Sequence, residues 1–527
     1  MNYLQQKCLP LMLVGVASCL TIPVRAETKV AIVAPPDTFF QIVKEKDRDA
    51  AREFYKKYTE VSGMPVVASG DVADEALVRT CEIVSHMLAG RPDVVQQMIK
   101  DKMYLIIIGK DQLYADMPEY RNVPDKAYWN ERVRGTGGRP TSFGEENLLS
   151  LPLDRYDDES IAVHEFCHTI DFSLRSLTPE WKQLLNVVYQ NAMAKGLYKN
   201  VYAGSNAGEY WAEIGQSYFN CNRVNNWNHG PVGTREQLKT YDPEGYELVR
   251  TTFRLQPEQD WRYTFLRHNP IVISPPEKFK IDPYYLKFTW AREFPVIGRS
   301  ASDEALLQAN DTVRKMFAYR HDVLKALIHD GVKLVVLGRD ESLADLPEYQ
   351  ALSKRPSFDP FSRVLDYSPR AKLLVVGEEN VLADPAEPNV DDNQVIRTLA
   401  GAIYEVTANR PEDPNWNNRR RDVQQYELRV ERLDQRFDKK LQLSYEQAMG
   451  AGKWGGTRAV HDPVAYWSTG VLAYFDAAGQ DAAPPGSPHP VRTREALQSY
   501  DLNLYALVNE TMAYDGRVDW RYRAANP

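Results

Sequence analysis

The residues best suited to chemistry in this sequence are His164, Glu165 and His168, which form the pattern His-Glu-x-x-His. On a helix, residues four apart lie one turn above each other, so the two imidazoles can bind one metal ion while Glu165 projects beside them. This arrangement is typical of zinc sites that activate water for hydrolysis. Because the spacing arises by chance in roughly one chain in a hundred of this size, its surroundings must also support the interpretation.

The residues around the motif predict a largely buried helix. Ser160 offers a polar N-cap, Ile161 to Val163 form an apolar run, and Ile170 and Phe172 continue what we expect to be the buried side. A buried helix with three polar residues on one face must satisfy them with partners. A bound metal ion would supply such a partner.

A catalytic zinc ion takes three protein ligands and leaves a fourth position for water, so a third ligand must follow later in the chain. The segment from Glu209 to Phe219 predicts a second amphipathic helix, with Glu209 and Glu213 on one face. We expect Glu209 to be the third ligand and Glu213 to accept the spare ring N–H of a ligand histidine. The alternative is that both glutamates are solvated surface residues.

These two segments, His164–Asp171 and Tyr202–Glu213, resemble the metallopeptidase domain of the anthrax toxin lethal factor family, whose members are gluzincins. The resemblance is confined to these segments and the chain between them, so it does not imply a toxin role. It implies one Zn²⁺ per chain and six site residues: the ligands His164, His168 and Glu209, the general base Glu165, the oxyanion donor Tyr202 and the outer partner Glu213.

The chain also contains an internal duplication. Gly109–Tyr120 matches Gly338–Tyr349, and Gly144–Asn147 recurs as Gly377–Asn380. The closing Asp260–Tyr263 recurs as residues 519–522. The matches keep their order, and their offset grows along the chain as insertions in the second copy would require. We therefore predict that both copies share one fold.

The second copy lacks the metal-binding pattern. Aligning Asp157-Asp158 with Asp391-Asp392 places Thr398, Leu399 and Ala402 at the positions of His164, Glu165 and His168. Aligning the two Tyr-Trp pairs places Arg458, Ala465 and Thr469 at the positions of Tyr202, Glu209 and Glu213. Residues that disappear together while their surroundings persist are more simply interpreted as a functional set. By the same comparison we predict a structural role, in a buried ion pair, for residues that persist: Arg235, Tyr241, Asp260 and Arg262.

The coarse pattern predicts an α+β fold, mostly helical, made of two tandem zincin-like copies that each contain a small sheet. Strands are predicted at Met103–Ile108 and Lys333–Leu337, and shorter ones near Asn147–Leu153 and Lys372–Val376. Helices are predicted around Asp74–Ala89, within Pro179–Ala194 and at the two site segments. The predicted domains are a catalytic copy at 27–268, a proline-rich linker at 269–282 and a degenerate copy at 283–527.

Residues 1–26 have the features of a signal peptide. The apolar run Leu9–Val16 follows Lys7, is too short to span a bilayer, and precedes a small-residue cleavage site at Ala26. We expect a secreted or periplasmic protein without a membrane span. The alternative is a lipoprotein anchored at Cys19.

Composition excludes some classes of partner. The formal net charge of −8 makes nucleic acid an improbable partner, because phosphate binding needs a basic surface, and favours a protein or peptide substrate. Cleavage at Ala26 leaves Cys81, Cys167 and Cys221, so one disulfide is possible, but the spacing selects no pair. The seven histidines outside the motif show no ligand pattern and are expected at the surface or in packing: His86, His229, His268, His321, His329, His461 and His489.

Two functions follow from these observations. The first is a secreted zinc-dependent metallopeptidase in which Glu165 is the general base. The second is an exported binding or scaffold protein whose first copy retains a vestigial metal site.

Overall fold

The structure is a computed structural model that describes residues 30–353, 359–368, 371–384, 392–408, 437–479, 483–512 and 520–522. The described residues from 32 onward belong to one compact unit, and only residues 30 and 31 of the unit before it are described. The predicted signal peptide, the possible lipid anchor at Cys19, Asp391 and the start of the repeated 519–522 segment lie outside the described residues.

The chain builds two small mixed sheets. The first contains β1 (Lys57–Val61), β2 (Met64–Ala68), β3 (Leu105–Ile108) and β4 (Thr141–Gly144) in that order. The second contains β5 (Lys287–Ala291), β6 (Phe294–Gly298), β7 (Lys333–Leu337), β8 (Leu365–Ser368) and β9 (Leu373–Gly377) in the order β5-β6-β7-β9-β8. Each sheet begins with an antiparallel hairpin and continues with parallel strands, and the second sheet ends with β8 antiparallel to β9. These two small sheets amid many helices confirm the predicted α+β class.

Helices account for most of the remaining regular structure. Residues 32–268, called the first half, contain α1 (Asp37–Ile42), α2 (Arg48–Phe54), α3 (Asp74–Met87), α4 (Pro92–Lys100), α5 (Lys126–Arg132), α6 (Glu145–Leu148), α7 (Ile161–Leu177), α8 (Trp181–Ala194), α9 (Ala207–Tyr218), α10 (Arg235–Tyr241) and α11 (Pro243–Phe253). Residues 283–522, called the second half, contain α12 (Asp303–Met316), α13 (His321–His329), α14 (Tyr349–Leu352), α15 (Glu378–Val381), α16 (Gln394–Ala408), α17 (437–450), α18 (Pro463–Tyr474), α19 (Arg494–Tyr500) and α20 (Leu502–Met512).

The central strands match their sequence pattern. All four residues of β3 are 0% exposed, as expected for an apolar run in a parallel strand that is covered on both faces. The predicted strands at Met103–Ile108, Lys333–Leu337 and Lys372–Val376 are confirmed as β3, β7 and β9. The sequence pattern did not predict the hairpins β1-β2 and β5-β6.

The strand predicted near Asn147–Leu153 is wrong, because the strand lies earlier, at β4, and the chain then turns into the short helix α6. The side chain of Asn147 explains this turn. Its Oδ1 accepts a hydrogen bond from the backbone N–H of Ile161 at 2.8 Å, and its Nδ2 donates to the carbonyl of Glu159 at 2.9 Å. The buried amide therefore satisfies backbone groups at the start of α7, which a strand at this position would leave unpaired.

The two halves repeat the same internal hydrogen bonds. The hydroxyl of Tyr210 donates to Asp242 at 2.6 Å, and the hydroxyl of Tyr466 donates to Asp501 at 2.7 Å. The arginine–glutamate pairs correspond as well, because Arg134 and Arg363 each bind the second of the two glutamates that follow the last parallel strand. These shared contacts agree with the predicted repeat, whereas the domain boundaries and the common origin of the halves stay predictions from sequence.

The register of α16 corrects the predicted alignment by one residue. The indole N–H of Trp211 donates to the carbonyl of Cys167, and that of Trp467 donates to the carbonyl of Ala400. Ala400 therefore occupies the position of Cys167, so that Arg397, Thr398 and Gly401 replace His164, Glu165 and His168. The alignment matched Asp157-Asp158 with Asp391-Asp392. The first pair lies one residue further from the start of α7 than the second pair lies from the start of α16, so every matched position was shifted by one residue.

A size exchange supports this register. A Cβ on Gly215 would lie 2.5 Å from Sγ of Cys167, so glycine is needed where α9 crosses α7. The matching positions in the second half carry Val471 on α18 and Ala400 on α16. The larger residue of the pair therefore lies on α7 in the first half and on α18 in the second half. The distance between the paired helices is thus preserved with the large and small residues exchanged.

Other structural predictions are settled by contacts. Asp260 pairs with Arg235 at 2.5 Å and Arg262 at 2.6 Å, although its side chain is 46% exposed, so the predicted ion pair is present and only partly buried.

Cys81, Cys167 and Cys221 are buried free thiols, so the possible disulfide is not formed among them. Within the described chain, no helix combines the length and apolarity that a bilayer crossing requires.

Candidate metal centre

Helix α7 begins at the predicted cap. The hydroxyl of Ser160 accepts a hydrogen bond from the backbone N–H of Val163 at 3.3 Å. Phe166 and Ile170 are buried, but Phe172 is 45% exposed, so its predicted place on the buried side is wrong. Two residues advance a helix by about 200°, which turns Phe172 away from Ile170.

Helix α9 presents Glu209 from its first turn. The side chain of Asn206 caps the helix by accepting hydrogen bonds from the backbone N–H groups of Gly208 and Glu209, at 2.9 and 3.0 Å. Tyr210 and Trp211 are fully buried and fix α9 against its neighbours. Their packing directs the preceding carboxylate toward the open face of α7.

The three predicted ligands converge. Nε2 of His164 lies 3.2 Å from Oε2 of Glu209, Nε2 of His168 lies 3.3 Å from the same oxygen, and the two nitrogens are 3.2 Å apart. Three ligands held about 2 Å from a tetrahedral ion lie roughly 3.3 Å from one another. Within the described part of the chain, this triad can therefore hold one metal ion.

The electrostatics of the triad also favour a cation. Burial lowers the pKa of His164, but the carboxylates of Glu209, Glu165 and Glu213 outweigh that effect and raise it to about 10. Burial raises the pKa of Glu209, but the two histidines outweigh it and hold that pKa well below its usual range. The carboxylates thus stabilise positive charge between these side chains, and a bound divalent ion would supply such a charge.

The orienting partner of His164 differs from the prediction. Its Nδ1 lies 2.8 Å from Oε1 of Gln216 but 3.8 Å from Oε1 of Glu213, beyond hydrogen-bond distance. Gln216 is 0% exposed, and its Nε2 donates to the carbonyl of Ser160 at 3.0 Å. The role predicted for Glu213 therefore belongs to Gln216.

Glu213 instead belongs to a buried charged group behind the triad. Its Oε1 lies 3.5 Å from Nε2 of His229, and Oε2 of Glu159 lies 3.4 Å from the same nitrogen. Burial opposes the charge of His229, but the two carboxylates raise its pKa to about 9. His229 is buried and pairs with two carboxylates, which is more than the surface or packing role predicted for it, and no sequence spacing signals these pairs because Glu213 comes from α9 and Glu159 from the loop before α7.

Glu165 and Tyr202 lie beside the triad, as expected. A Cβ on Gly135 would approach Cγ of Glu165 to 3.2 Å, so the backbone at Gly135 borders that side chain. Tyr202 starts a 3-10 turn, and its ring centroid lies 6.1 Å from that of His164. Burial and the carboxylate of Glu209 raise the pKa of the Tyr202 phenol, which keeps it protonated at neutral pH.

The sequence pattern did not identify Gly137, whose lack of a side chain leaves room for His168. Thr136 pairs with Ser142 of β4 through backbone hydrogen bonds of 3.1 and 2.9 Å, which places Gly137 against α7. A Cβ on Gly137 would lie 2.4 Å from Cβ of His168. The imidazole therefore needs a glycine opposite it on the strand side.

The second half carries different residues at the two corresponding positions. Leu365 pairs with Val375 as Thr136 pairs with Ser142, so Asp366 follows the paired residue where the first half has Gly137, and Gly401 stands at the position of His168. Among the described residues, an added Cβ on Gly401 would meet no atom within 4 Å.

The predicted replacements at the other positions are confirmed by the matching elements. Arg458 begins the 3-10 turn that corresponds to the one at Tyr202, and Ala465 and Thr469 lie on α18 as Glu209 and Glu213 lie on α9. Arg397 occupies the position of His164, with Nε 3.8 Å from Oδ1 of Asp366. Cationic side chains thus stand in the second half where the first half has a candidate metal ligand and the phenol.

The chain matches no protein-family model and no curated protein by sequence.

Proposed function

We propose that the protein is an exported zinc-dependent metallopeptidase that hydrolyses peptide bonds in protein or peptide substrates. The observation that carries this proposal is the convergence of His164 Nε2, His168 Nε2 and Glu209 Oε2 within 3.3 Å of one another. Glu165 follows His164 directly on α7, and the phenol of Tyr202 lies at the same site.

The donor set favours zinc among common divalent ions. Two imidazole nitrogens and one carboxylate oxygen are typical of catalytic zinc, whereas Ca²⁺ and Mg²⁺ prefer oxygen ligands. A bound zinc ion supplies a water of near-neutral pKa and polarises the scissile carbonyl. The resemblance to gluzincins supports the same choice of ion.

The protein side chains would then divide the proton transfers. Glu165 accepts the proton of the attacking water and passes it to the leaving amine. Tyr202, kept protonated by its raised pKa, donates a hydrogen bond to the developing oxyanion. Gln216 holds the ring of His164 through Nδ1, which leaves Nε2 directed at Glu209.

The experiment that tests the proposal is elemental analysis of the purified protein followed by digestion of an unfolded protein with and without a chelator. We expect about one zinc per chain and cleavage that stops when the chelator removes it. A protein that binds zinc but cuts no unfolded substrate would instead support the exported binding or scaffold protein. A protein without bound metal that still cuts would contradict the zinc mechanism.

A further inference from the structure

The loop that leads into the metal-binding helix carries three consecutive acidic residues. Asp157, Asp158 and Glu159 directly precede Ser160, the N-cap of α7. The side chains of Asp157 and Glu159 are only 6% and 4% exposed. Three adjacent carboxylates in such a place repel one another unless cations lie between them.

The first half supplies part of that positive charge. Arg223 pairs with Asp158 and lies 3.1 Å from Oε1 of Glu159. His229 lies 3.4 Å from Oε2 of Glu159. These contacts leave Asp157 without a cation from the first half among the described ion pairs.

The second half supplies the remaining positive charge around these carboxylates. Arg292, at the turn between β5 and β6, lies 3.1 Å from Asp157 and donates two hydrogen bonds to Asp158, at 3.0 and 2.5 Å. Arg314 on α12 pairs with the other oxygen of Asp157, and Asn310 orients it through a 2.8 Å hydrogen bond. Both arginine side chains are mostly buried, at 19% and 16% exposed.

The loop is connected to the metal ligand by direct contacts. The carbonyl of Ser160 accepts the Nε2–H of Gln216, whose Oε1 binds Nδ1 of His164. A displacement of the loop would therefore move both the first turn of α7 and the amide that orients the ligand ring. Small shifts of such outer partners weaken metal binding.

We propose that Arg292 and Arg314 are positioning residues of the metal centre, through which the second half holds the acidic loop and so orients His164. This role gives the second half, whose described residues lack the ligand triad, a direct contribution to the first half's site. The inference rests on the proposed binding of metal by the triad and does not require peptidase activity.

The test uses the full chain with Arg292→Met and Arg314→Met combined. Glu293→Gln is the matched control, because Glu293 forms another ion pair across the same boundary, 3.5 Å from Arg155, and also pairs with Lys325. Three quantities are compared with the parent: zinc affinity by chelator competition, the visible spectrum of the Co²⁺-substituted protein, and hydrogen exchange at residues 157–168 in the metal-free protein.

We expect the double variant to bind zinc about 10-fold more weakly, with a changed Co²⁺ spectrum and faster exchange at the start of α7. Arg292→Lys combined with Arg314→Lys should restore part of the affinity. Glu293→Gln should lower thermal stability without changing the spectrum. If the double Met variant does not fold, Arg314→Met alone is measured in the same way.

Parental affinity, spectrum and exchange in a folded Met variant would overturn the positioning role. If the parent binds zinc but hydrolyses nothing, the peptidase proposal fails while this inference stands. Exchange in metal-free protein tests the loop even if the parent binds no zinc.

Discussion

Oε1 of Gln216 lies 2.8 Å from Nδ1 of His164. An amide oxygen only accepts hydrogen bonds, so in the neutral imidazole the proton sits on Nδ1 and Nε2 presents its lone pair toward Glu209. A buried amide two turns after Glu209 on α9 thus sets the tautomer that a metal ion requires.

Replacing Gln216 tests this relationship. Gln216→Met removes the acceptor while keeping a side chain of similar length, so zinc affinity should fall by 10- to 100-fold, roughly the range seen for such partners. Gln216→Glu keeps the acceptor for Nδ1 but loses the donor to the carbonyl of Ser160, so it should retain only part of the affinity. Chelator competition measures both, and equal affinity in the Met variant and the parent would assign the orientation of His164 to another group.

Gly137→Ala should displace His168. The added Cβ would lie 2.4 Å from Cβ of His168 and 2.7 Å from the carbonyl of Glu165, so the strand segment or α7 must shift, at about 1–3 kcal/mol of stability. Zinc affinity and turnover should fall together. The matched control is Gly401→Ala in the second half, where the described neighbours leave room and a helical alanine should be neutral or stabilising. A Gly137→Ala protein with parental affinity would show that the site accommodates the methyl group.

His229 predicts a pH dependence of stability. Its folded pKa is raised to about 9 from the ordinary 6.5, so its contribution is fully present below pH 6.5 and is lost as pH rises through 9. In metal-free protein, His229→Gln should therefore lower the free energy of unfolding by about 3 kcal/mol below pH 6.5. The difference from the parent should shrink toward high pH. Denaturant unfolding of both proteins from about pH 6 to pH 10 measures it, and a difference that does not change with pH would exclude a charged His229.

Tyr202→Phe should separate binding from turnover. The phenol lies beside the triad but is not one of its three donors, so zinc content should stay parental while kcat falls by roughly 100-fold, as for the loss of one oxyanion donor. Tyr241→Phe serves as control, because that hydroxyl accepts a hydrogen bond from the backbone N–H of Tyr198. Parental kcat in the Tyr202 variant would remove the phenol from the mechanism.

Those parts of the site that depend on local pattern were predictable. The cap at Ser160, the spacing of His164 and His168 and the early position of Glu209 on its helix follow from helical periodicity alone. Glu213 and Gln216 lie on the same face of α9, one and two turns after Glu209, and periodicity cannot decide which of them reaches Nδ1 of His164. That choice depends on how closely α7 and α9 pack.

Features that depend on distant chain segments were not predictable. Gly137 carries no pattern of its own, and its importance comes from a strand pairing that brings it against α7. His229, Arg292 and Arg314 come from separate loops or from the second half. In the repeat alignment, one residue of difference before α7 was enough to shift the matched positions on α16.

The most direct measurement of the central claim is peptide hydrolysis by Glu165→Gln at equal zinc content. The substitution keeps the size of the side chain and all three ligands but removes the base, so bound zinc should equal that of the parent while kcat falls by about 10²- to 10⁴-fold. Glu209→Ala, measured in parallel, should lose the zinc itself. Parental turnover by a zinc-loaded Glu165→Gln protein would contradict the account.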